Sequence, residues 1–257
     1  MTPAGVGVVW RATSTLAAAD LDAALATLSD DEREQHRRFT FPEDARDYAA
    51  AHALLRAALS TEVGGTTPGD WRFVRDARGK PALAGGSPSL PSFSLTHTSG
   101  MVACAIAPPG AAVGVDVERA DRDVDPERLA SRFFAPPEIA ALAPLDDRAR
   151  RERFFDLWTL KEAVVKALGL AVPASLPSIA FEIVGRGRET AIRYDGPLAA
   201  AGRWTFALHA PAPGYRLAAA AVNPGSNAAL TISFAAAPPW CQARAWHQAT
   251  VRLAPSP

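Results

Sequence analysis

Residues 154–169 read Phe154-Phe155-Asp156-Leu157-Trp158-Thr159-Leu160-Lys161-Glu162-Ala163-Val164-Val165-Lys166-Ala167-Leu168-Gly169, an amphipathic helix with charges in unexpected places. At about 100° per residue, Phe154, Leu157, Trp158, Leu160, Val164, Val165 and Leu168 fall on one continuous apolar arc. Gly169 is placed to stop the helix. Lys161 lies inside the arc, where an ammonium must either snorkel out or meet an anion, and the anion is favoured. Glu162 and Lys166 sit four apart on the rim. As an ordinary surface pair they would contribute only a few tenths of a kcal/mol.

Upstream, Val113-Gly114-Val115-Asp116-Val117-Glu118 alternates as a strand does. Residues two apart share a face at a spacing of about 6.6–6.8 Å. Val115 and Val117 therefore enter the core while Asp116 and Glu118 project together. Two such carboxylates repel by roughly 2 kcal/mol at an effective dielectric of about 20. A divalent cation removes that cost, and oxygen ligands suit magnesium. A solvated edge strand carries the same pattern, so this pair decides nothing alone.

Further upstream, Gly79-Lys80-Pro81 is a loop and Phe93-Ser94-Leu95-Thr96-His97 a strand, with a turn at Ser99-Gly100 and a return strand from Met101 to Ala107. An ammonium, a hydroxyl and an imidazole near a turn can hold phosphate oxygens, which makes Lys80, Thr96 and His97 candidates. Arg56 and the Arg37-Arg38 pair add positive charge, or are simply solvated.

Before these come a short strand at residues 5–11 and a helix from Leu21 to about Phe39, in which Ser29 and Glu32 have capping-box spacing. A second helix spans Pro42 to Leu59, breakers follow at Gly64-Gly65 and Pro68-Gly69, and a strand covers Trp71 to Val74. The second half echoes the first. Arg132-Phe133 leads into Pro137-Glu138 as Arg38-Phe39 leads into Pro42-Glu43, and strands Trp204–His209 and Tyr215–Val222 flank Pro211 to Gly214. Two related α/β halves are expected, residues 1–110 and 111–225, with 226–257 a loosely attached tail in which only Ala229 to Phe234 reads as a strand.

Composition narrows the function classes. Lysine plus arginine equals aspartate plus glutamate, so nothing in the net charge of zero argues for a nucleic-acid or membrane surface. The two cysteines, Cys104 and Cys241, show no metal-ligand spacing and read as free thiols. No leader and no apolar run of membrane-spanning length is visible, so a cytoplasmic protein is expected. Of 27 basic residues only Lys80, Lys161 and Lys166 are lysines, which marks them as places where a compact ammonium does what a guanidinium cannot.

Taken in order, Gly79-Lys80-Pro81, Phe93 to His97, Gly114 to Glu118 and Phe154 to Lys166 resemble the 4′-phosphopantetheinyl transferase superfamily, in its larger, Sfp-like type. Trp158-Thr159-Leu160-Lys161-Glu162-Ala163 is the most specific block. The likeness runs from about Arg37 to Val222. It implies an α/β (α+β) fold in which two similar halves pack as a pseudo-dimer within a monomer, with coenzyme A in the cleft between them. It implies Mg2+ held by Asp116, Glu118 and Glu162, these three and Lys166 as the catalytic residues, and Lys161 and Lys166 facing the coenzyme phosphates. Lys80, Thr96, His97, Arg56 and Arg37 match other coenzyme contacts. The implied partner is an apo acyl or peptidyl carrier protein. One departure stands out: where relatives carry lysines before the Arg-Arg-Phe segment, this chain has Glu32 and Gln35.

Two rivals remain. A catalytically silent module binding coenzyme A or a carrier would not need all three acids and both helix lysines. A metal-dependent nuclease would need a basic face that this chain lacks. The carrier served, whether of fatty-acid, polyketide or peptide synthesis, is not written in the sequence.

Overall fold

Alternating apolar runs and two long helices build the residues described in this computed structural model, namely 5–76, 79–170, 176–185, 191–196, 202–224 and 230–238. The first half runs β1 (Gly5–Ala12), α1 (Ala18–Thr27), α2 (Asp30–Arg37), α3 (Pro42–Val63), β2 (Phe73–Arg75), β3 (Pro81–Leu83), β4 (Ser92–Thr98) and β5 (Met101–Ala107). The second half runs β6 (Ala112–Arg119), α4 (Pro126–Phe133), α5 (Pro136–Leu142), α6 (Asp147–Leu168), β7 (Ala180–Val184), β8 (Ala191–Asp195), β9 (Gly202–His209) and β10 (Tyr215–Pro224). β11 (Thr231–Ala236) follows. The mixed α+β class is as expected.

Two expectations need correction. The helix expected from Leu21 to Phe39 is two helices, because Ser29 turns extended and its hydroxyl accepts from the Glu32 N–H while Glu32 accepts from the Ser29 N–H. A capping box starts a helix, so it cannot lie inside one. The segment 226–257 is not wholly a loose tail. Residues 231–236 pair in parallel with β1, and Leu230 is buried. Residues 239–257, and Cys241 with them, lie outside the described residues. Cys104 is a buried free thiol.

The larger sheets have the orders β11-β1-β5-β4 and β6-β10-β9. Alternate residues of β1, β5, β6 and β10, among them Val8, Ala103, Val115, Val117 and Ala219, share one apolar core between the sheets. The outer face of the first sheet packs on α1 and α3 through Val102, Cys104 and Ile106. The outer face of the second packs on α6 through Ala218 and Ala220. Where β6 runs beside β4, side chains replace the usual backbone ladder. Ser94 and Thr96 hydroxyls accept from the N–H groups of Val115 and Val117, and the Ser92 hydroxyl donates to the Ala111 carbonyl. These hydroxyls lie two residues apart along β4, as strand geometry requires. No helix among the described residues is long and apolar enough to cross a membrane.

Candidate active site

Gly114, Asp116 and Glu118 occupy the face of β6 turned toward α6. The helix comes so close that a Cβ on Gly114 would lie 1.8 Å from the Ala163 carbonyl oxygen. That contact brings the α6 rim over the strand's acids. Lys166 Nζ donates to Asp116 Oδ1 at 2.6 Å and to the Thr96 hydroxyl at 3.2 Å, and Thr96 donates to the same Asp116 oxygen. The other oxygen, Asp116 Oδ2, is buried with no hydrogen-bond partner among the described residues. Glu118 pairs with Arg122 at 3.1 Å. Burial, then repulsion from Asp116, pushes Glu118 up to about 7 and Glu162 up to about 6. Glu162 makes no hydrogen bond or ion pair with any described residue.

Lys166 also lines a cavity of about 1080 Å³. Its wall carries Lys80, Arg72, Arg75, His52 and His97, together with Arg33, Asp30 and Asp31. Lys80 donates to the carbonyls of Val113 and Ala167, so a loop of the first half grips β6 and α6 of the second. Burial lowers the pKa of both Lys80 and His97. Lys166 thus joins a large, cation-rich cavity to a cluster of three acids.

Four sequence expectations are altered. Lys161 does meet an anion, but an internal one. It is fully buried, its ammonium lies 2.7 Å from Glu138, and it donates to the carbonyls of Leu176 and Ile179. It faces no cavity. Arg56 lies in the cavity wall, but its guanidinium is occupied by Glu32 and by the carbonyls of Pro68 and Trp71. Arg37 is on the exposed face of α2, paired with Glu34, away from the cavity. Thr96 is buried in the strand seam and does not line the cavity.

The Arg56 and Lys161 sites are counterparts. Each lies fourteen residues into a helix of 22 residues, meets the glutamate three residues past the N-cap of the short helix before it, and reaches carbonyls after its own helix. That glutamate is Glu32 in one half and Glu138 in the other, so Glu138 corresponds to Glu32 and not to Glu43. Glu32 thus fills an internal role and leaves no positive charge at its position. Although burial alone would raise it, hydrogen bonds from His52 and the Ser29 N–H, with the Arg56 charge, hold it down to about 2.

As the side chains are placed, no three Asp, Glu, His or Cys groups among the described residues converge closely enough to hold a metal ion. The expected trio is therefore not a formed cage: Lys166 sits on Asp116, and Arg122 on Glu118. The donor chemistry still fits a hard divalent cation. All three groups are carboxylates, one buried oxygen is orphaned, and their mutual repulsion calls for positive charge. Sequence reasoning missed Arg122, Glu138, His52, Arg72 and Arg75. Only Glu138 carried a signal, in its position just inside a proline-started helix.

The sequence profile of the family described as 4′-phosphopantetheinyl transferase superfamily matches residues 112–220, and that of 4′-phosphopantetheinyl transferase, N-terminal, matches residues 10–108. The 4′-phosphopantetheinyl transferase HetI of a Nostoc strain is 36% identical over 162 residues, covering 63% of this chain and 68% of that protein. The 4′-phosphopantetheinyl transferase Sfp of Bacillus subtilis is 27% identical over 210 residues, covering 81% of this chain and 88% of its own. A holo-(acyl-carrier-protein) synthase of Bacillus anthracis superposes with a TM-score of 0.38 at 15% identity over 44% of this chain and 96% of that chain. With one profile on each half and a relative matched over two thirds of its length, the chain belongs to the 4′-phosphopantetheinyl transferase superfamily, in its larger, Sfp-like type.

Proposed function

We propose that the protein transfers the 4′-phosphopantetheine group of coenzyme A to a serine of an apo carrier protein and releases 3′,5′-ADP. One observation carries the reading. Glu162, unpartnered among the described residues and raised to about 6, stands beside the Asp116–Lys166 pair, and Lys166 is also part of the wall of the cation-rich cavity. The cavity draws its wall from both halves, in support of a division into residues 1–110 and 111–225 with the coenzyme between them. The matched Arg56–Glu32 and Lys161–Glu138 pairs support treating those halves as a pseudo-dimer.

Lys80, Arg72 and Arg75 would supply the charge that holds the coenzyme phosphates, and His97, kept neutral by burial, a hydrogen-bonding imidazole beside them. Asp116, Glu118 and Glu162 would hold Mg2+, which when bound offsets charge on the pyrophosphate. Glu162 takes the proton of the carrier serine, being the one of the three acids that no cation among the described residues occupies. The serine oxygen forms its bond to the β-phosphorus as the bond to the bridging pyrophosphate oxygen breaks. Lys166 stabilises or protonates the departing phosphate of 3′,5′-ADP. Positioning and charge compensation carry most of the rate.

Incubation with coenzyme A, Mg2+ and apo carriers of the fatty-acid, polyketide and peptide-synthetase kinds tests this by mass spectrometry. One of them is expected to gain about 340 Da, the mass of the group transferred. No gain on any, with a coenzyme-induced rise in melting temperature, would make the protein a silent coenzyme-binding module.

A further inference from the structure

Of the three clustered acids, Glu118 is the one whose partner comes from outside the family's motif residues. Arg122 follows it by four positions, in the loop that leaves β6. Its Nη1 is 3.1 Å from Glu118 Oε2, and its guanidinium lies over the Phe155 ring with 5.3 Å to the centroid. The loop itself is fastened down. Arg151 of α6 donates to the carbonyls of Ala120, Arg122 and Val124, and its own guanidinium also lies near Phe155. The backbone of Arg122 is thus fixed to the helix that carries Glu162, while its side chain is held more lightly. That side chain is 35% exposed, and its Nε is buried without a hydrogen-bond partner among the described residues. A firmly built guanidinium site would use that donor. Here one ion pair and one ring contact hold the arm, and such pairs exchange easily.

We propose that Arg122 is a positioning residue for Glu118: an internal cation that competes with the divalent metal for this carboxylate and so sets how tightly the metal binds. The inference rests on the function proposed above. When Glu118 turns to the metal, the Arg122 pair must break, and the side chain can leave toward solvent along the Phe155 ring. The fastened loop returns it when the metal leaves. Asp116 has a comparable internal cation in Lys166, but Lys166 belongs to the reaction itself. Arg122 touches neither the cavity nor the reacting atoms, and its substitution separates metal affinity from chemistry.

The test is a Mg2+ titration of the full-length protein with coenzyme A present and no carrier, read by calorimetry and by melting temperature. Wild type is compared with Arg122→Gln, Arg122→Met and Arg122→Lys. Arg122→Met keeps an apolar contact with Phe155, should Arg122→Gln fail to fold. The Gln and Met variants are expected to bind Mg2+ about three- to fivefold more tightly, on the scale of a partly exposed ion pair removed. Arg122→Lys should stay within about twofold of wild type. Equal Mg2+ affinity in wild type and both neutral variants overturns the inference and leaves the proposed function standing. A wild type that binds no Mg2+ overturns the metal assignment in that function as well. A lowered melting temperature with unchanged Mg2+ affinity reduces Arg122 to a structural contact and also overturns the inference.

Discussion

Lys161 and Glu138 put a full charge pair where the helix pattern calls for leucine. Burial pushes the lysine pKa down and the glutamate up, and their attraction opposes both shifts. Removing one partner leaves the other charge buried alone, a loss of about 3–5 kcal/mol. Lys161→Leu should therefore lower the melting temperature strongly, and adding Glu138→Leu should recover only part of the loss, because Glu138 also accepts from the buried Ala135 and Phe181 N–H groups. The coenzyme-induced rise in melting temperature should be the same for the double variant and wild type, because neither residue faces the cavity. A selective loss of coenzyme binding in the double variant would restore Lys161 to the site. Glu162→Gln is expected to keep the fold and reduce transfer by about 10²–10⁴, the usual span for a lost general base. Steady-state transfer assays on a folded variant decide it. The acids also set a pH profile. Glu118, Glu162 and Asp156, the last raised to about 6 chiefly by burial, hold protons in the folded state that the unfolded chain has already released. Stability should therefore fall as pH rises from about 4.5 to 7. Glu32, held down to about 2, works the other way: its contribution stands above about 4.5 and fades toward pH 2. Melting of the metal-free protein should thus peak at about pH 4–4.5, and added Mg2+ should raise the melting temperature more at pH 8 than at pH 6. A metal-free melting temperature that climbs steadily from pH 5 to 8 would contradict the burial of these acids.

At the scale of the element, β6 and α6 form one functional unit through Gly114. A methyl group there would lie 1.8 Å from the Ala163 carbonyl oxygen and 2.6 Å from the Ala167 nitrogen, and backbone cannot swing aside as a side chain can. Gly114→Ala should cost at least the 1–3 kcal/mol typical of overpacking, at about the upper end. It should also reduce transfer beyond what lost stability explains, because Lys166 and Glu162 are carried off Asp116. Thermal melts paired with assays well below the melting temperature check both effects. This unit was largely legible in the sequence. Period-two spacing put Asp116 and Glu118 on one face, and helical spacing put Glu162 beside Lys166. The partners of Lys161 and Arg56 were not, because Glu138 and Glu32 stand on other helices and no local period reaches them. Nor did any local pattern announce that β11 would pair with β1. The break between α1 and α2 was written in Ser29 and Glu32, yet the helical periodicity on either side hid it.

Across the whole molecule, the halves meet along β4 and β6 through the hydroxyls of Ser92, Ser94 and Thr96, with Lys80 gripping the Val113 carbonyl. A ladder of backbone hydrogen bonds breaks only in concert, but hydroxyls on short rotors can let go one at a time and turn to water. The seam is therefore a place where shear between the halves is cheap, and Thr96 ties that shear to Asp116 and Lys166. Amide hydrogen exchange offers a direct measure. In the free protein, the Val115 and Val117 amides should exchange faster than those of Ala218 and Ala220 in the middle of the β6-β10-β9 sheet, despite equal burial. Coenzyme A bound across the halves should slow the valines selectively. Such a joint lets a protein breathe to admit a long ligand without loosening either core.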